Sequence, residues 1–70
     1  MTDSIYEVIE LVGTSTKSWE DAAQNVVETA SKTLDDIRIA EVSKLDMKVE
    51  NGKIVTYRVR VHLSFKHVAT

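Results

Sequence analysis

Residues 18–34 of this 70-residue chain read SWEDAAQNVVETASKTL, and the apolar and small side chains of this segment recur every three or four positions. That spacing places these side chains along one side of an α-helix. Ser18 has the hydroxyl that caps a helix N-terminus, and Glu20 and Asp21 add negative charge where the helix dipole favours it. The opposite side is polar. We therefore predict one amphipathic helix over residues 18–34, with an alanine-rich side that packs closely against a sheet.

Three strands are predicted around this helix, one before it and two after it. Residues 5–12 are rich in β-branched and apolar side chains, and residues 37–49 and 53–66 alternate apolar with polar positions. The predicted class is α+β with the order β-α-β-β, a three-stranded antiparallel sheet wrapped around one helix in a single domain, residues 1–70. Both faces of the first strand are largely apolar. Because one helix covers only one face, we expect a second copy of the chain to cover the other.

The turn between the two long strands is predicted from the register it would impose. Asn51-Gly52 is typical of a two-residue hairpin turn. That register would place Met47 opposite Thr56, an apolar residue opposite a polar one. A three-residue loop with a left-handed Gly52 pairs Met47 with Val55 instead. We predict the three-residue loop because it keeps the apolar pattern on one face.

Composition excludes several classes of function. The formal net charge of −2 argues against a general nucleic-acid or anionic-membrane binder. No apolar run approaches the ~20 residues that span a bilayer, so we expect a cytoplasmic protein with no membrane partner. There is no cysteine, so oligomerisation is the expected means of stabilising so short a chain. No arrangement of serine, histidine and acid suggests catalysis, and we expect no enzyme activity.

With these elements placed, the sequence resembles the dodecins along nearly its whole length. The residues that carry the resemblance are YEVIELVGTS at 6–15, SWEDAA at 18–23, AEV at 40–42, ENG at 50–52 and VHLSFK at 61–66. Dodecins are small proteins that assemble into hollow shells of twelve subunits, and many of them bind flavins. The resemblance implies the β-α-β-β fold and a homododecamer.

Three positions that correspond to the dodecin flavin site differ here. Ile39 stands where flavin-binding members carry a tryptophan that stacks on the isoalloxazine ring, and isoleucine has no π face. Arg58 replaces a glutamine that hydrogen-bonds the ring edge, and a guanidinium can only donate. Asp46 replaces an arginine that favours a flavin phosphate in some bacterial members. Together these changes argue against flavin as the ligand.

The pattern is closer to the branch described as calcium dodecins, which implies calcium or another cation as the bound cofactor. The apolar alternation changes phase near Ser43 and Lys44, which predicts a β-bulge that places Glu41 and Asp46 on one face with Arg58. Carboxylates repeated by symmetry can supply the oxygen ligands of calcium. Asp46 and Glu41 are therefore the candidate metal ligands. The alternative, which stays open, is that Asp46 and Arg58 form an ion pair that fills the vacated flavin pocket.

The leading hypothesis is a non-enzymatic dodecin-like protein that binds or stores a small ligand, calcium or another cation in preference to flavin. One alternative is flavin binding and sequestration. Another is a structural shell without a specific ligand. We expect His62 to be a surface or interface histidine, and Asp35 and Asp36 to be solvated loop residues.

Overall fold

The structure is a computed structural model that describes residues 5–66, and its elements follow the predicted order. They are β1 (Tyr6–Ser15), α1 (Trp19–Ala30), β2 (Ile37–Glu50) and β3 (Lys53–Lys66). The sheet order is β1-β3-β2, and β3 runs antiparallel to both neighbours. The predicted α+β class and β-α-β-β order are confirmed. No helix in residues 5–66 is long and apolar enough to cross a membrane.

β1 continues three residues beyond its predicted end, through Gly13 to Ser15. Gly13 pairs with Val59 of β3 in regular antiparallel register. A Cβ atom at Gly13 would lie 2.6 Å from the carbonyl oxygen of Ala22 and would overlap the side chain of Val26. The strand therefore continues through Gly13, whereas the sequence predicted that it ends at residue 12. It allows α1 to lie directly against the sheet.

α1 begins where predicted and ends one turn early. The Ser18 hydroxyl accepts a hydrogen bond from the backbone N–H of Asp21 at 3.0 Å, which confirms the N-cap. The helix ends at Ala30, whose carbonyl accepts from the N–H groups of Thr33 and Leu34 in a tight turn. The Thr33 hydroxyl donates to the same carbonyl at 3.4 Å. The backbone after Ala30 changes to i→i−3 hydrogen bonds, from Lys32 to Thr29 and from Thr33 to Ala30, so the predicted end at Leu34 was wrong.

The core lies between α1 and the central strand β3. Its fully buried members are small on the helix and branched on the strand: Ala22, Val26, Ala30, Val59, Val61 and Leu63. Ile9, Trp19 and Leu34 are among the partly buried side chains that pack around them. Because β3 has a neighbour on each side, its helix-facing side chains are the most completely covered.

The β2–β3 turn corrects the sequence prediction. Asn51 and Gly52 both have positive φ, 52° and 75°, and they form a two-residue turn rather than the three-residue loop. The pairing then skips Val55, so that Met47 lies opposite Tyr57. The register shift between Lys48 and Val49 thus places apolar residues opposite each other again. The sequence analysis had expected the turn itself to do this.

The outer half of the β2–β3 hairpin extends beyond the part of the sheet that α1 covers. The chain measures 56 × 20 × 14 Å along its principal axes. Trp19, at the start of α1, packs edge-on against Tyr57 with ring centroids 5.1 Å apart, and its indole N–H donates to the carbonyl of Asp46 at 3.1 Å. Beyond this contact Val49 and Ile54 are exposed. The hairpin tip therefore presents apolar side chains that its own helix does not reach.

Candidate functional site

The sheet face opposite α1, here called the outer face, arranges its side chains in rows across the three strands. The alternation of β3 places Val59, Val61 and Leu63 against the helix and the residues between them on the outer face. The register defines the rows as Thr14–Arg58–Asp46, Val12–Arg60–Lys44, Glu10–His62–Glu41 and Val8–Ser64–Ile39. All the site residues predicted from sequence lie in these rows.

A β-bulge sets which residues of β2 belong to the outer face. The register shifts between Val42 and Lys44 and passes over Ser43, as predicted. The Ser43 hydroxyl donates to the carbonyl of Arg60 across the strands at 3.2 Å. With this shift Glu41 before the bulge and both Lys44 and Asp46 after it pair with outer-face residues of β3. The predicted bulge and its consequence for the face are confirmed.

Asp46 and Arg58 form a bidentate ion pair. The guanidinium Nε donates to Oδ1 at 2.7 Å and Nη2 donates to Oδ2 at 3.0 Å. Hydrogen bonding from Arg58 lowers the pKa of the Asp46 carboxyl below its ordinary value, and the charges of Arg58, Arg60 and Lys44 lower that pKa further. The same hydrogen bond raises the pKa of Arg58. Both Asp46 oxygens are therefore held by Arg58 in the single chain.

His62 lies between two carboxylates, one on each neighbouring strand. Its Nε2 is 2.9 Å from Oε2 of Glu10, and its Nδ1 is 3.8 Å from Oε1 of Glu41. The side chain is about one-third exposed, in agreement with the predicted surface position. Sequence reasoning missed the contact with Glu10. The signal that finds it is the β1–β3 register, which pairs Glu10 with His62 and which alternation within a single strand does not determine.

Ile39 lies far from the other two positions of the flavin-equivalent set. Its partner Ser64 is six residues along β3 from Arg58, which is about 20 Å at the rise of a strand. Ile39 is 59% exposed, beside the exposed Val8 of the same row. One chain therefore does not bring Ile39 together with Asp46 and Arg58. A pocket that uses all three positions has to combine residues from more than one copy.

The two candidate metal ligands are also separated. The β3 partners of Glu41 and Asp46 are His62 and Arg58, four residues apart or roughly 13 Å along the strand. Two carboxylate oxygens on one calcium ion lie within about 5 Å of each other, because calcium–oxygen distances are ~2.3–2.6 Å. Among residues 5–66 no group of three or more histidine and acidic side chains is arranged to hold a metal ion. The donor set of one chain does not fit calcium.

A separate apolar groove runs between α1 and the free edge of β1. Its volume is about 570 Å³, and its lining includes Ile9, Leu11, Val26, Ala30 and Leu34. None of the site residues predicted from sequence lines it. The groove and the exposed hairpin tip are both apolar surfaces that the single chain leaves uncovered.

These features define a class of small α+β proteins in which a three-stranded antiparallel sheet wraps one helix and leaves a charged outer face. The family model described as Dodecin matches residues 5–67. The chain belongs to the dodecin family, and the resemblance stated from sequence is confirmed.

Individual relatives agree with this assignment. Calcium dodecin of Mycobacterium tuberculosis is 46% identical over 63 residues, which cover 90% of this chain and 89% of the relative. A crystal structure from that organism, described as the calcium-chelating immunodominant antigen calcium dodecin with a novel calcium-binding site, superposes with a TM-score of 0.82 at 47% identity over 96% of both chains. Dodecin from Streptomyces coelicolor superposes over the whole of both chains with a TM-score of 0.93 at 31% identity.

Proposed function

We propose that this protein is a non-enzymatic binding protein that assembles into a homododecamer and binds calcium or another hard cation rather than flavin. The likeness to a calcium dodecin supports the cation. The observation that carries the preference over flavin is the Asp46–Arg58 ion pair. In this pair the side chains at two flavin-equivalent positions, Asp46 and Arg58, hydrogen-bond each other rather than a ligand. Ile39 at the third position provides no ring for stacking.

Exposed apolar surface supports self-assembly. Twelve large hydrophobic side chains are exposed in residues 5–66: Ile5, Tyr6, Val8, Leu11, Val12, Ile39, Val42, Leu45, Met47, Val49, Ile54 and Val55. Some of these side chains lie on the outer face and others lie at the hairpin tip. Surface of this kind on a small chain marks a protein–protein interface. Contacts between copies would also bring together the outer-face rows that one chain holds apart.

The assembly can be tested by its mass. We expect multi-angle light scattering to give a single species of about twelve times the 7.9 kDa of one chain. The species should persist on dilution to low micromolar concentration, because the interfaces that cover these apolar side chains contribute to folding stability. A stable monomer at those concentrations would contradict the proposal.

Within such an assembly each ion would receive equivalent carboxylates from several copies. Glu41 and Asp46 of one chain are too far apart to bind the same ion, so each copy would contribute one carboxylate to a given ion. Glu41 is the more available of the two: its side chain is 72% exposed and its Oε1 contact with His62 is 3.8 Å. Asp46 accepts two hydrogen bonds from Arg58, whose positive charge disfavours a cation beside it. We therefore assign the principal ligand role to Glu41 and a secondary one to Asp46.

Calorimetry with calcium tests this assignment. We expect saturable calcium binding by the wild type and weaker binding of magnesium, because magnesium dehydrates reluctantly and demands stricter geometry. Glu41→Gln should weaken calcium binding by about tenfold or more, since ligand charge sets calcium affinity. Asp46→Asn should cause a smaller loss. The matched control is Glu20→Gln, which removes an exposed acid from the first turn of α1 and should leave the calcium affinity unchanged.

The outcomes separate the functional hypotheses. No heat with either ion would contradict cation binding and favour the structural shell. Equal calcium affinities for wild type and Glu41→Gln would place the ligands elsewhere. Quenching of riboflavin fluorescence by the wild type would favour flavin sequestration instead.

A further inference from the structure

One row of the outer face holds two cations directly opposite each other. Lys44 of β2 pairs with Arg60 of β3 in the antiparallel register. The register and the alternation of the strands place both cations on the outer face, where Asp46 follows two residues further along β2. Like charges directly across a pair of strands destabilise a sheet. The row therefore contains an unfavourable pair that needs a counter-charge.

Within residues 5–66 the acids nearest this row are paired with other residues. On the β1 side of Arg60 the row continues with Val12, which is apolar. Asp46 has both oxygens on Arg58. In the next row Glu10 and Glu41 face His62. Within residues 5–66 neither Lys44 nor Arg60 makes an ion pair shorter than 4.0 Å.

The bulge holds the two cations in place. Ser43, the residue that the register passes over, donates its hydroxyl to the carbonyl of Arg60 at 3.2 Å. This contact fixes the backbone of β2 against that of β3 at the point where Lys44 is set opposite Arg60. Bulges commonly re-aim a side chain in this way. Arg60 is partly buried as a residue, and the planar fork of a guanidinium loses less conformational freedom for each hydrogen bond that it forms.

We infer that Lys44 and Arg60 form a binding site on the outer face for a small anion that carries a phosphate group. An arginine can bind two phosphate oxygens through its planar fork, and a lysine adds a point charge. The inference does not rest on the cation proposal. It uses a different row and the opposite charge, so either can fail without the other.

The test is calorimetric titration of the full-length protein in chloride buffer with EDTA, which removes divalent cations from the experiment. The probes are inorganic phosphate and glycerol phosphate, which distinguish a free phosphate ion from a phosphomonoester. We expect saturable binding of phosphate, weakened about tenfold or more by Lys44→Gln and by Arg60→Gln, because each removes a charge-assisted hydrogen bond. Binding of glycerol phosphate as well would define the site as one for phosphomonoesters.

Lys48→Gln is the matched control. Lys48 lies on the same strand, but its ammonium is paired with Glu50 at 3.4 Å, so its loss should change phosphate affinity less than twofold. Phosphate should also raise the thermal midpoint of the wild type and Lys48→Gln but not of Lys44→Gln. If Arg60→Gln fails to assemble, the exposed Lys44 carries the test alone. No saturable binding at millimolar phosphate, or equal losses in Lys44→Gln and Lys48→Gln, would overturn the inference.

Discussion

Gly13→Ala is expected to lower the free energy of unfolding by about 3 kcal/mol, at the upper end of the usual cost of overpacking. The added methyl group would lie 2.6 Å from the carbonyl oxygen of Ala22 and would overlap Val26. The carbonyl belongs to the helix backbone and cannot turn aside as a flexible side chain would. To make room, α1 has to move away from β1, which opens the packing of the buried Ala22 and Val26 against the sheet.

The measurement is thermal unfolding followed by circular dichroism at one fixed protein concentration, because the midpoint of an oligomer depends on concentration. Gly52→Ala is the matched control. Gly52 has a φ of 75°, but a Cβ there would meet nothing within 4 Å, so only the strain of a left-handed alanine remains. That strain costs about 1 kcal/mol. If Gly13→Ala proved milder than Gly52→Ala, the contact between helix and sheet would be less rigid than the structure shows.

Gly13 also shows why parts of the fold escaped prediction from sequence. The apolar periods of α1 and of the strands are local patterns, and they gave the correct order, class and N-cap. Glycine after an apolar run has two meanings, a strand end or a close approach by another element. Only the position of Ala22 over the strand decides between them. The β2–β3 hairpin is a second example. Asn51-Gly52 correctly indicated a two-residue turn, but no local sequence pattern predicts that the pairing passes over Val55.

The candidate site was predictable in composition but not in arrangement. The bulge and the possible ion pair between Asp46 and Arg58 followed from alternation along β2 and β3, and both are present. The contact of His62 with Glu10 depends on how β1 pairs with β3, which is set across the sheet. The separation of Ile39 from Arg58 likewise appears only when the register is known.

That separation leads to a gain-of-function prediction. We expect the double variant Ile39→Trp with Arg58→Gln to bind riboflavin roughly ten- to hundredfold more tightly than the wild type, since stacking of a base on an aromatic side chain contributes about 1–3 kcal/mol. Ile39 is 59% exposed beside Val8, so the outer face has room for an indole there. The second change dissolves the ion pair with Asp46 and restores an amide that both donates and accepts hydrogen bonds.

Quenching of riboflavin fluorescence measures the affinity, and light scattering checks that each variant assembles like the wild type. Ile39→Leu with Arg58→Gln is the matched control, because it keeps apolar volume at position 39 without a π face and should gain only the part of the affinity that the amide at position 58 contributes. Ile39→Trp alone should gain only part of the effect, since Arg58 would still offer donors alone to the ring edge. The two positions lie about 20 Å apart in one chain. A larger gain in the double variant than in Ile39→Trp alone would therefore mean that one flavin contacts positions 39 and 58 of two copies, whereas equal affinities of these two variants would mean that position 58 does not contact the flavin.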